Sequence, residues 1–258
     1  MSKTLSPAGG RPARRRMMGP VLLLIVLGSA AVARGQAQTP PVVLSGLQVQ
    51  PAPVVLSRLQ VQPAPADIPT ITYRRVFQGS TPEFIEIAVR PDGAAKADVR
   101  QLSETAAPQD FEVGPAIRAK IFDLARLMRN FQGADLDVHR RIAYLGQKTF
   151  RWENGAEVYE TQYNYTLDAN ASQLQAIFEG LAQQQSDLAT LEQRLRYDRL
   201  GVNDALRQFE NNVNQRILPE PERFLPVLDR IAEDTRLIEV ARQRARSLAA
   251  RIRVAQGR

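Results

Sequence analysis

The chain has 258 residues, no cysteine, and a formal charge of +7 from 34 Lys and Arg against 27 Asp and Glu. Without cysteine there are no disulfides, no thiol catalysis and none of the usual zinc frameworks. Five of the seven excess positive charges, on Lys3, Arg11, Arg14, Arg15 and Arg16, lie within residues 1–33, which hold no acid, and the remaining +2 gives no electrostatic case for binding nucleic acid.

Those basic residues precede an apolar run at 21–27, and the small residues Ser29, Ala30, Ala31 and Ala33 follow. This order is that of a secretory signal peptide, expected over residues 1–37. Cleavage is expected after Ala33, in the context Ala31-Val32-Ala33, or after Ala37, in the context Gly35-Gln36-Ala37. The expected location is then periplasmic or extracellular. The alternative is an inner-membrane anchor formed by residues 17–33, a stretch near the lower limit of about 17 residues for a helical span. The arginines before Met17 and Met18 also fit a loose twin-arginine pattern, although the strongly apolar run favours the general secretory route.

Residues 38–67 form a proline-rich linker, expected to be disordered. A 12-residue unit starting at Pro41 is repeated from Pro53 with a single change, Gly46 against Arg58. The unit suits a tolerant tether. The sharper reading is that its Val-Val-Leu and Leu-Gln-Val stretches add as a strand to a sheet edge.

An α+β domain is expected over residues 68–170, in the order β-β-β-α-β-β-α. Residues 71–77 read as a strand leading across Gln78-Gly79-Ser80 into a hairpin. In that hairpin, residues 84–90 alternate and Pro91-Asp92-Gly93 turns the chain. A three-residue loop with Gly93 left-handed puts Ile85, Ile87 and Val89 opposite Val99, Ala97 and Ala95, which makes one apolar face. Residues 115–131 carry Ile117, Ile121, Leu124 and Phe131 at helical spacing. A second hairpin is expected across Asn154-Gly155, with strands 141–152 and 157–167. A two-residue loop there pairs Phe150 with Tyr159, Lys148 with Thr161, Gly146 with Tyr163, Tyr144 with Tyr165 and Ile142 with Leu167. The resulting aromatic row packs under a helix as core, or lies wet and stacks on glycan or peptide.

A helical region, an antiparallel bundle or hairpin, is expected over residues 171–258. Leu174, Ile177, Leu181, Gln184, Leu188, Leu191 and Leu195 form a heptad seam, packed internally or between two chains. Asn203 is the expected N-cap of a second helix ending near Ile217. Phe224, Leu225, Leu228 and Ile231 open a third. Ile238, Ala241, Ala245, Leu248 and Ile252 line the last one, with a kink expected near Asp234. Its arginines, Arg242, Arg246 and Arg253 among them, form either a solvated basic face or a surface for an anionic envelope component or an envelope protein.

No nucleophile elbow, zinc-protease, phosphate-loop, dinucleotide or EF-hand motif occurs, and no cofactor is expected. His139, the single histidine, alternates with Asp135 and Asp137, a weak metal pattern that more often sits in water in a turn, and no metal is expected. The expected function is a non-enzymatic, exported binding or envelope-associated interaction protein, as a monomer or homodimer. It is expected to meet the membrane only through an uncleaved leader. The alternative is a cell-wall or glycan hydrolase using an Asp/Glu pair.

Overall fold

Residues 68–257 are described in a computed structural model. The leader, both candidate cleavage sites at Ala33 and Ala37, and the duplicated linker with its strand-addition reading lie outside the described residues.

Alternating apolar and polar residues build a six-stranded antiparallel sheet in the order β4-β3-β2-β1-β5-β6. Its strands are β1 (Thr70–Val76), β2 (Phe84–Val89), β3 (Ala94–Arg100), β4 (Gln109–Glu112), β5 (Gln147–Asn154) and β6 (Glu157–Tyr163). The fold is α+β, as the sequence pattern implies. In the first hairpin Ile85, Ile87 and Val89 oppose Val99, Ala97 and Ala95, and Gly93 takes φ +96°, so the three-residue turn and its register are the expected ones. β1 joins the two hairpins, pairing with β2 on one side and β5 on the other.

The second hairpin differs from expectation. Asn154 pairs with Glu157, so the loop residues are Gly155 and Ala156 instead of Asn154 and Gly155. Only Gly155 has positive φ, 59°, the arrangement of a turn with glycine in its first loop position. Every partner therefore moves by two: Trp152 faces Tyr159, Phe150 faces Thr161, and Lys148 faces Tyr163. A shift of two keeps each side chain on its face, so the aromatic row survives the change of register. Residues 141–146 are not a strand; Tyr144 instead meets Phe77 edge-on at 5.9 Å. The expected pairs of Gly146 with Tyr163, Tyr144 with Tyr165 and Ile142 with Leu167 do not form.

One face of the sheet is covered by α1 (Pro115–Leu127) and the first half of α2 (Ala169–Tyr197). Tyr73 stacks on Phe178 at 5.5 Å, Phe150 on Phe131 at 5.3 Å, and Phe150 meets Tyr163 at 5.5 Å. Tyr163 is buried and Tyr159 half-buried against Trp152, so the β5–β6 part of the row is core, whereas Tyr144 and Tyr165 lie outside the strands and are exposed. α1 stops four residues before Phe131, short of the expected end. Arg129, Asn130 and Phe131 all have positive φ, a left-handed turn that swings the Phe131 ring down onto the sheet. Burying that ring, worth about 1.5–3 kcal/mol, offsets part of a turn that costs on the order of 1 kcal/mol or more for each of these residues.

α3 (Val202–Asn214), α4 (Leu225–Glu233) and α5 (Glu239–Gln256) enclose a second core around Phe209 and Phe224, whose rings stack at 4.1 Å. The heptad seam is spent inside the chain. Leu174, Ile177 and Leu181 enter the sheet core, Leu191 enters the second core, and Leu188 and Leu195 pack against it. Asn203 is not a cap, because it lies inside α3 and accepts from Arg244 Nη1 at 2.6 Å. Ile217 lies beyond α3, which ends in a Schellman turn with Arg216 left-handed at φ 55°. At Asp234 the chain turns between two separate helices, α4 and α5, instead of kinking one.

A buried polar seam ties the two cores together. Glu220 Oε1 accepts from Gly114 N at 2.6 Å, at the start of α1, while its own N–H donates to Gln184 Oε1 at 3.1 Å. Asn212 Nδ2 donates to Asp187 Oδ2 at 2.7 Å. Gly180 admits the chain at 217–219 against α2, since a Cβ there would lie 2.4 Å from Ile217 O.

Candidate functional site

The inward row of β1 runs Ile71, Tyr73, Arg75. The first two are core residues, and the third puts a guanidinium on the helix-covered face. Across the strand pair, Arg75 stands directly opposite Lys148 of β5. Two cations are thus side by side on a face otherwise built for apolar packing, an arrangement that is repulsive by itself.

α2 answers with one carboxylate. Gln175 and Glu179, one turn apart, face the sheet together. Glu179 Oε1 accepts from Tyr73 Oη at 2.8 Å, from Gln175 Nε2 at 3.2 Å and from Arg75 Nη1 at 3.5 Å. Gln175 in turn accepts from Tyr163 Oη at 3.2 Å. Burial, with Glu179 beside them, pushes both tyrosines well above the usual phenol range, so each remains a protonated donor.

The two cations are satisfied very differently. Lys148, 5% exposed, places Nζ among three carbonyls, Asn164 O at 2.7 Å, Leu145 O at 3.1 Å and Gly146 O at 3.4 Å. All three ammonium protons are used, and burial still lowers its pKa. Arg75 makes only two long bonds, to Glu179 at 3.5 Å and to Pro82 O at 3.3 Å. Its Nε is buried and finds no acceptor among the described residues. The next acid near Lys148, Asp137, is committed elsewhere: it accepts from Asn164 N at 2.8 Å and Tyr165 N at 3.3 Å, bonds that hold its pKa down.

Two open crevices meet at this group. One, of about 550 Å³, runs between α2, the 81–82 turn and the chain at 215–217, with Arg216 in its lining. The other, of about 390 Å³, is lined by Lys148, Tyr165, Ser172 and Gln175. Arg75, Ala176 and Glu179 line both, and Glu179 is the one carboxylate in either lining among the described residues. Volumes of a few hundred Å³ are those of small-molecule sites.

The residues singled out by sequence lie elsewhere. Arg242 and Arg246 both bond Glu239, at 2.7 and 3.0 Å, and Arg253 bonds Asp229 at 2.6 Å. Arg244 and Arg251 share Glu210. The basic stripe of α5 is thus laced into ion pairs on the surface of the second core. His139 Nε2 sits 2.7 Å from Asp135, which raises its pKa, while Asp137 lies 3.9 Å from Nδ1. Among the described residues no group of three or more His, Cys, Asp or Glu is arranged to hold a metal ion, and no helix is long and apolar enough to cross a membrane.

The Arg75–Lys148 pair had only a partial signal in the sequence. Alternation places each cation on an inward face, but the pairing of β1 with β5, which makes them neighbours, is a long-range contact. Comparison with protein-family models and with curated proteins finds no match to this chain.

Proposed function

We propose that this chain is an exported, non-enzymatic binding protein of the cell envelope that holds a small polar ligand in the crevices between α2 and strands β1 and β5. The observation that carries the reading is the meeting of two crevices on one incompletely satisfied guanidinium, Arg75, set into an apolar sheet face. Export is supported by the basic, apolar and small-residue order of residues 1–37. Glu179, the carboxylate in the linings, already accepts from three donors and has no second acid beside it among the described residues, an arrangement that suits holding a ligand better than cycling a proton.

Ala176 lines both crevices, so Ala176→Trp fills them without changing charge. Native mass spectrometry after incubation with an envelope extract is expected to show a small molecule retained by the wild type and not by Ala176→Trp. Equal retention by both proteins would contradict the crevice. Turnover of an envelope substrate that Glu179→Gln abolishes would favour the hydrolase instead.

A further inference from the structure

The charge balance inside the crevice identifies the ligand's chemistry. Arg75 and Lys148 oppose each other across β1 and β5, and among the described residues Glu179 alone faces them, from α2, which leaves one positive charge uncompensated there. A carboxylate nearby would neutralise it, but Asp137 is held by the Asn164 and Tyr165 amides. Lys148 supplies charge without free protons, because three carbonyls take all of them. Arg75 supplies both. A guanidinium has five N–H donors, two of which are used here, at 3.3 and 3.5 Å, and the side chain is 18% exposed.

We propose that the crevice binds the carboxylate group of a small organic molecule, with Arg75 as the donor of the pairing hydrogen bonds and Lys148 as the fixed neighbouring charge. This rests on the crevice reading above and names its ligand class. A planar carboxylate matches the fork of a guanidinium, and one such group cancels the charge that Glu179 leaves on the Arg75–Lys148 pair. Arg216, in the lining of the larger crevice, adds a further cation there.

The same imbalance predicts an unusual pairing of effects. In the empty protein Arg75 is a liability, so Arg75→Met is expected to melt at or above the wild-type temperature. A purely structural arginine would behave in the opposite way. Glu179→Gln removes the one compensating charge. It is expected to melt lower yet bind carboxylate more tightly, on the order of tenfold.

The test uses the full chain, with N-acetylglycine, acetate and inorganic phosphate as probes, read by melting temperature and by titration calorimetry. The expected result is that N-acetylglycine and acetate bind and raise the wild-type melting temperature. Arg75→Met loses that rise, and Glu179→Gln enlarges it. Should Arg75→Met not fold, Arg75→Gln and the Glu179→Gln affinity carry the same test. The proposal is overturned if neither carboxylate binds, if phosphate alone binds, or if Arg75→Met lowers the melting temperature while leaving the affinity intact. Ala176→Trp separates the two readings. If it abolishes retention of an extract molecule while no carboxylate probe binds the wild type, the crevice stands and the ligand class falls. If carboxylates bind Ala176→Trp as well as they bind the wild type, the crevice itself falls.

Discussion

Glu220→Ala is expected to destabilise the fold by about 2–4 kcal/mol, far more than a loop substitution away from such a contact. Glu220 is 3% exposed and sits between the 3-10 turn before α4 and the start of α1. Its Oε1 accepts from Gly114 N at 2.6 Å, and Gly114 offers α1 no side-chain cap of its own. Removing the carboxylate strands a part-buried N–H, which costs about 1–3 kcal/mol. It also removes a negative charge from a helix N-terminus, worth about 0.3–1 kcal/mol and up to ~2 when partly buried. The lost pair with Arg223, whose side chain is 32% exposed, adds little, since that guanidinium regains water. Gly114 supplies an internal check. Its φ of −64° suits any residue, but a Cβ there would lie 2.3 Å from Glu220 Oε1. Gly114→Ala should therefore be costly in the wild type and nearly neutral beside Glu220→Ala, a coupling of at least ~1 kcal/mol. Urea unfolding of the four proteins measures the cycle, and amide exchange at Gly114 reports the bond directly. A loss below ~0.5 kcal/mol for Glu220→Ala, or equal costs of Gly114→Ala in both backgrounds, would show that this bond does not hold the start of α1.

Asp187 sets a pH dependence. Burial raises its folded-state pKa despite its bonds from Asn212 and Gln183, so its contribution is full below the unfolded carboxyl pKa and is lost as pH rises through the folded one. Asp187→Asn should match the wild type near pH 3 and become relatively more stable as pH rises towards neutrality. Urea midpoints across that range that keep a constant difference would contradict this. Arg129 is exposed at φ 53°, and Arg129→Gly is expected to raise stability by about 0.5–1 kcal/mol, read as a higher urea midpoint. Arg216→Gly, at the left-handed position of the α3 Schellman turn, should likewise stabilise by up to ~1 kcal/mol. Calorimetry should show that it weakens carboxylate binding, because it removes a cation from the crevice wall. An unchanged affinity would remove Arg216 from the account.

What could be read from the sequence was what local chemistry decides. The Pro91-Asp92-Gly93 loop with its flanking alternation fixes the β2–β3 register, and three-four spacing locates α2 almost to the residue. Errors arose where one atom-level preference outweighed a pattern. Gly155, not Asn154, takes the left-handed position, and the hairpin moves by two. The pull of a buried Phe131 breaks a helix that spacing alone would continue. β4 was missed because four residues, with only Phe111 half-buried, carry no period. For the site, the inward placement of Arg75 and Lys148 was legible strand by strand. Their adjacency was not, because β1 and β5 are joined only through the sheet. The arginines of α5 stand out by density, and each pairs with an acid of α4, α3 or α5 itself, two of those acids being shared.

Carboxylate recognition falls to the Arg75 guanidinium, which makes two long bonds and whose Nε finds no acceptor among the described residues. The Nε–H resonance, assigned by comparison with Arg75→Met, can be followed in nitrogen-15-labelled full-length protein during titration with N-acetylglycine at constant ionic strength. A carboxylate seated on the guanidinium should shift this proton saturably, a shift that sodium chloride does not reproduce. An Nε–H signal that stays in place, or that moves equally with chloride, would contradict that recognition.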